Sequence, residues 1–446
     1  MKRFTSGLVA ITWCVLQGLS IVSQAASPLQ SRIFIDNVWA GTRVGFDALR
    51  VGDKAYVGYY DASRYLTVAE ADLRTGAVRT IRLASQFAGW DSHNYIALDY
   101  DSAGILHVSG NEHATPLLYA RTNRSNDLTS LTLINRMNGN REQRVTYPKF
   151  LNDDRGDTLF IYRDGGSGDG NYVIKRFVDG AWKDMLSSPL FGDKGVAGTV
   201  SAYPTQFQAR RNGGYCVAWV WRRTPDVRTN SDIAYACSAD MKVWTRFDGV
   251  ALRLPINQGD GAEVVDVPEN TGLFNNIELG RNEQGDPVIS FLKYDDKGFT
   301  QLFHAVLMNG RWIVKSVTQW DYRWDFGGTH SIESEISFSG LRTDSGRSIE
   351  TITHRKYGTK RYLFDARGLD VVEIADETPL AATTAVDIVK PLKRNAMRVR
   401  GPGVGRFAII WGTYPPDNHD EPRRCGDQED KCVLSSKLFL IQLEGN

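Results

Sequence analysis

The chain has 446 residues, and its 53 Lys and Arg nearly balance its 52 Asp and Glu. That balance excludes a global basic field for nucleic acid, so an anionic ligand must be met by local arginines. The length allows one large domain or two small ones.

Lys2 and Arg3 open the chain, an apolar run follows from Gly7 to Val22, and "SQAAS" offers small residues for cleavage after Ala25 or Ala26. This pattern is expected to be a secretory signal peptide over residues 1–26. The run is too short for a membrane anchor. Cys14 would leave with it. The mature chain, 27–446, is expected to be secreted or periplasmic and free of the membrane.

Short β-branched and aromatic runs come next: "KAYVGYY", "ILHVSG", "TLFIYR", "YCVAWVW" and "PVISFLKY". They read as strands, and no segment sustains a helical period. Each strand of the series follows a turn ending in glycine: Gly52, Gly104, Gly156, Gly213, Gly285, Gly346 and Gly405. Tight hairpin turns need the positive φ that glycine adopts easily. Seven beats of similar length predict an all-β, seven-bladed propeller of four-stranded antiparallel blades, in one domain. Runs ending in Trp, as in "VDGAWKD", "DMKVWTR" and "NGRWIVK", read as outer strands. "SADMKVW" is one residue short of a sialidase Asp-box and lacks its glycine. It supports blades but not sialidase chemistry.

Three of the seven histidines, His93, His107 and His113, fall within 21 residues. His107 lies mid-strand and is expected to pack internally. His93 and His113 flank one strand–turn–strand unit, so both can reach one mouth of the propeller. The next beat adds Tyr147 before one strand and Arg163 at the end of another. Four mature cysteines in an exported chain permit disulfides. Cys216 and Cys237 sit on strands either side of one turn, where a disulfide is expected rather than a metal site. Cys425 and Cys432 enclose a polar loop that a second disulfide could staple.

No HExxH, GxSxG or phosphate-binding loop occurs. Two imidazoles, a phenol and a guanidinium suit β-elimination from a uronic acid. Arg offsets the carboxylate, a neutral His takes the C5 proton, and Tyr or His protonates the leaving oxygen. A hydrolase would want two carboxylates across the bond, and none pairs evidently in these loops.

"HNYIALDYDSAGILHVSGNEHATPLLYAR", "VTYPKF", "YRDGGSGDGNYVIKRF", "VAWVWRRTPDVRTNSDIAYACSAD" and "FNNIELGRNEQGDPVISFL" together resemble the bacterial-neuraminidase-repeat-like secreted propellers. Within that group they look most like the seven-bladed ulvan lyases. The resemblance covers roughly residues 35 to 415. It implies elimination at glucuronate or iduronate in ulvan, a sulfated, rhamnose-containing algal polysaccharide. It gives proton transfer to His93, a place beside it to His113, acid or base duty to Tyr147, and offset of the carboxylate to Arg163. Arg222 and Asn230 flank the loop "WRRTPDVRTN" and, with Asn94 next to His93, are the expected substrate contacts. Ser231 departs from the pattern, in which a histidine often follows the asparagine. The chemistry requires no cofactor. A structural calcium or zinc ion is compatible with the resemblance, its ligands unplaced. The expected partner is an anionic polysaccharide, with no nucleic acid, and the chain is expected to be a monomer. Other readings stay open: a lyase on rhamnose–glucuronate linkages of other glycans, a glycoside hydrolase, or a non-catalytic glycan-binding propeller.

Overall fold

A computed structural model describes residues 32–153, 155–382, 386–401, 406–415, 420–423 and 432–443. The expected signal peptide, Gly405 and Cys425 lie outside the described residues. The described residues are all-β. Their wholly described helical turns, Leu128–Ser130 and Val227–Thr229, are three-residue 3₁₀ turns.

Strands follow one another as antiparallel meanders. The first runs Asp47–Val51, Lys54–Tyr60, Tyr65–Asp72, Val78–Gln86. The second runs Ile96–Tyr100, Leu106–Gly110, Tyr119–Thr122, Leu131–Leu133. The third runs Val145–Asn152, Thr158–Gly166, Asp169–Val178, Ala181–Asp184. A single parallel bridge, Gly170 to Ser201, joins it to the fourth, which centres on Tyr215–Arg222 and Asn230–Ser238. The fifth runs from Glu278–Arg281 to Arg311–Ser316, and the sixth centres on Arg347–His354 and Gly358–Phe364. In the last sheet, Arg32–Trp39 pairs with Ser435–Gln442. The two ends of the described chain therefore share one sheet.

Burial explains the strand sequences. Seven of the eight residues of Tyr215–Arg222 are buried, including Trp219 and Trp221. Such a strand is covered on both faces, so it reads as a continuous apolar run rather than an alternating one. Last strands are wetter: Arg311–Ser316 has no buried residue. The Trp-ending runs Ala181–Asp184, Trp244–Thr245 and Arg311–Ser316 do occupy these outer positions. Of the seven turn glycines, the six described all have positive φ.

The register sets Cys216 opposite Cys237, and the two form a disulfide. His107 is wholly buried. Its Nδ1 lies 2.7 Å from the Tyr119 hydroxyl, and its Nε2 lies 3.3 Å from Asp101 Oδ2. Truncation would leave those two groups short of a partner. His107→Ala should therefore cost about 2 kcal/mol or more in urea unfolding.

Candidate active site

Asp91 ties two histidines together. Its Oδ1 accepts the His93 backbone N–H at 2.9 Å and lies 2.6 Å from His93 Nδ1. Its Oδ2 lies 2.5 Å from His113 Nδ1. The imidazole centroids are 4.6 Å apart. A carboxylate at Nδ1 fixes the tautomer and leaves each Nε2 as the basic atom. Burial pushes the Asp91 carboxyl up, but the hydrogen bonds from His113 and His93 outweigh it and hold the group well below its ordinary range.

His113 arrives by an unusual route. Its strand, His113–Thr115, leaves the second meander and pairs with Val145–Asn152 of the third. That brings it beside Tyr147, at 6.2 Å between centroids, with His93 at 5.9 Å. Tyr147 occupies a break in strand register between Thr146 and Lys149 and has φ 58°. A left-handed tyrosine immediately before Pro148 is strained by about 1–3 kcal/mol. The strain turns its ring out of the sheet toward Tyr95, stacked at 6.1 Å, and Tyr203, at 6.2 Å.

Arg163 lies beneath these rings. Its Cζ is 4.7 Å from the Tyr147 centroid and 5.2 Å from that of Tyr203. It is 0% exposed, and none of its three guanidinium nitrogens has hydrogen-bond geometry to a described partner. Gly170 makes room: a Cβ there would sit 2.7 Å from Arg163 Cγ. Arg222 flanks the same cluster from the fourth meander. Its Nε donates to Asn230 Oδ1 at 2.7 Å and its Nη1 to the Tyr203 hydroxyl at 3.0 Å, with Asn275 at its Nη2.

The two tyrosines are pushed apart. Burial, with Tyr203 beside it, raises Tyr147 despite Arg163 and Arg222. Burial also acts upward on Tyr203, but there Arg163 and Arg222 outweigh it and the phenol falls below its ordinary value. Neighbouring groups with divergent acidities are the arrangement that acid–base chemistry uses.

A cavity of about 420 Å³ opens over this cluster, lined by His93, Tyr147, Tyr203 and Arg222 among others. His113, Arg163, Asn94 and Asn230 do not line it. Asn94 donates its amide to the Asp91 carbonyl at 3.1 Å, and Asn230 is buried behind Arg222. Sequence reasoning missed Asp91, two residues before His93, and Tyr203, in the strand facing Arg222. The aspartate could have been found as a D-x-H turn. It also missed His330, Lys149 and Glu278 on the cavity wall. Burial lowers Lys149 to about 8, offset in part by Glu278. Burial raises Glu278 to about 7, offset in part by Lys149.

Asp91, His93 and His113 present donor atoms within 4.8 Å of one another, a count and type that suit a divalent metal. Both Nδ1 atoms and both Asp91 carboxylate oxygens are already committed to each other as hydrogen bonds. A metal there would displace the protons that orient the rings.

The sequence matches the BNR repeat-containing family over residues 54–320. The match spans more than half the chain, and the chain belongs to that family. No curated protein matches it. Among solved structures it is similar to the polysaccharide lyase Uly1, with 16% identity, TM-score 0.59, and 95% of this chain and 94% of that one covered. It is also similar to a PL25 ulvan lyase, with 16% identity, TM-score 0.64, and coverages of 86% and 93%. A PL25 ulvan lyase bound to -[GlcA(1-4)Rha3S]- matches with 14% identity, TM-score 0.63 and the same coverages. These likenesses show a shared fold.

The Glu278 environment gives a pH prediction. A folded value near 7 against about 4.5 unfolded means stability falls as pH rises through that window. Glu278→Gln removes the penalty. Its stability relative to the parent should rise by about 1–3 kcal/mol between pH 5 and pH 8 in denaturant unfolding. An unchanged difference at the two pH values would contradict the burial argument.

Proposed function

We propose that this chain is an exported polysaccharide lyase cleaving ulvan by β-elimination at glucuronate or iduronate. The supporting observation is the unpaired, buried Arg163 guanidinium under a cavity that carries an oriented imidazole and two tyrosines of divergent acidity. The reading takes the meanders as the blades of one seven-bladed propeller, closed by pairing of the first and last strands.

In the proposed reaction, Arg222 at the cavity surface and Arg163 beneath it draw negative charge onto the uronate carboxylate, which acidifies C5–H. His93 Nε2 takes that proton, held in place by Asp91 with His113 alongside. The C5–H electron pair forms the C4–C5 double bond and the C4–O bond breaks. Tyr147, kept protonated by its raised value, gives its proton to the departing oxygen. Tyr203, between two guanidiniums, completes the hydrogen-bond network under the ring. Asn94 and Asn230 are read as supports of the substrate contacts. A structural calcium or zinc ion elsewhere stays compatible with the reading, and no step uses one.

A hydrolase fits the lining less well. Among the described residues, Glu278 is the one carboxylate lining the cavity. Two are wanted across the scissile bond. The proposed localisation is outside the cytoplasm, as a monomer with no nucleic-acid or membrane partner. No helix of the described residues is long and apolar enough to cross a membrane.

Incubation with ulvan should raise the ultraviolet absorbance of an unsaturated uronate in step with new reducing ends. Reducing ends without that absorbance would remove the lyase reading, and binding with neither would favour a lectin. His93→Ala and Tyr147→Phe should each lower kcat on the order of 100-fold or more while folding is kept. Near-full turnover in His93→Ala would overturn its assignment as base. A chelator should leave the initial rate unchanged, because no metal carries a step.

A further inference from the structure

The turn glycines that mark the beats carry a second pattern. Arg281 and Arg342 stand four residues before the beat glycines Gly285 and Gly346, and Arg210 stands three before Gly213, all three glycines having positive φ. The repeat thus places an arginine in equivalent hairpin turns of the fourth, fifth and sixth meanders, and Arg211 adds one more.

These turns lie away from the catalytic cavity. The strand Tyr215–Arg222 carries Arg222 at the cavity and Cys216 near its other end, six residues and about 20 Å away. Two adjoining cavities open at that other end. One, of about 310 Å³, is lined by Arg210, Arg211, Arg281, Tyr235 and the Cys216–Cys237 disulfide. The other, of about 370 Å³, is lined by Arg211, Arg281 and Arg342, with the single carboxylate Glu278 at its border. Arg211 and Arg281 belong to both, so the two form one groove.

Some other arginines of these meanders are paired, Arg223 with Glu269, Arg246 with Asp248 and Arg355 with Glu335; Arg311, Arg347 and Arg361 are scattered and lie in neither cavity. Among the described residues no ion pair involves Arg210, Arg211, Arg281 or Arg342. Their internal bonds are few: Arg281 Nη1 donates to the Gly285 carbonyl at 3.1 Å and Arg342 Nη1 to Ser339 Oγ at 3.2 Å. The disulfide and the buried Tyr235 give the groove a rigid floor. Guanidinium forks in successive turns match a ligand whose anionic groups also repeat.

We propose that this groove is a second, non-catalytic binding site for a linear sulfated polysaccharide, held by its sulfate esters. The near-neutral chain gives no wider field for a nucleic acid. The site stands apart from the lyase reading, and a failure to cleave ulvan would leave its test intact.

The test is affinity electrophoresis through gels containing dextran sulfate, neutral dextran or duplex DNA. The parent protein should be retarded by dextran sulfate alone, less so as salt is raised. Arg211→Ser/Arg281→Ser/Arg342→Ser should lose about tenfold in affinity for dextran sulfate. Arg211→Ser/Arg342→Ser changes only exposed side chains, so folding is not at stake, and it should lose affinity in the same direction. No retardation of the parent, or parental affinity in both variants, overturns the proposal. Equal retardation by DNA through the same arginines also overturns it, since the surface would then be a nucleic-acid site.

Discussion

The site is organised around one buried charge. Arg163 is covered completely, yet no carboxylate answers it, and the Tyr203 phenol is beside it without full hydrogen-bond geometry to its nitrogens. An uncompensated buried charge costs several kcal/mol in a folded protein. Here the faces of Tyr147 and Tyr203 offset part of that cost through cation–π attraction. The surroundings follow from that placement. Gly170 must lack a side chain, Tyr147 must take a left-handed backbone to lay its ring over the cation, and Tyr203 becomes the more acidic phenol. On the proposed function, the uronate carboxylate, and the charge it develops as the C5 proton leaves, is the anion this cation attracts across the tyrosine rings.

The second organising element is the Asp91 carboxylate. It fixes two imidazoles at once, one from the loop before Ile96–Tyr100 and one from a strand lent to the next meander. Three consecutive meanders thereby contribute to one cluster: His93 and His113 from the second, Tyr147 and Arg163 from the third, Tyr203 and Arg222 from the fourth. The cavity wall comes from the long loops that follow outer strands, with Phe274 and Asn275 from one and His330 and Ser331 from another. The opposite ends of the same strands carry the short glycine turns and the arginine groove. The proposed catalysis and the proposed polymer capture thus fall at opposite ends of these strands, with Glu278 bordering both cavities.

Much of the fold was legible because glycine turns obey backbone sterics that do not depend on tertiary context. The continuous apolar strands could be read as buried on both faces, and the cysteines at 216 and 237 as opposite neighbours. The widest glycine spacing, from Gly213 to Gly285, is where a loop of the cavity wall is inserted. The site was legible in part. His93, His113 and Tyr147 do converge, and His107 is internal. Asp91 escaped notice because carboxylates are common and only its position between two rings distinguishes it. Tyr203 escaped because its importance comes from two arginines distant in sequence. The exposure of Arg163 was not readable either: the sequence suggested a strand end reaching into the cavity, whereas the strand runs on to Gly166 and packing of the tyrosines sets Arg163 below the floor.

The central claim is that the bond breaks by elimination, with no water added. The mass of the products tests this most directly. Fragments released from ulvan should include ends lighter by one water than hydrolysis would leave, in equal number to the new reducing ends. Fragments all carrying the full mass of a hydrolysed bond would contradict the account.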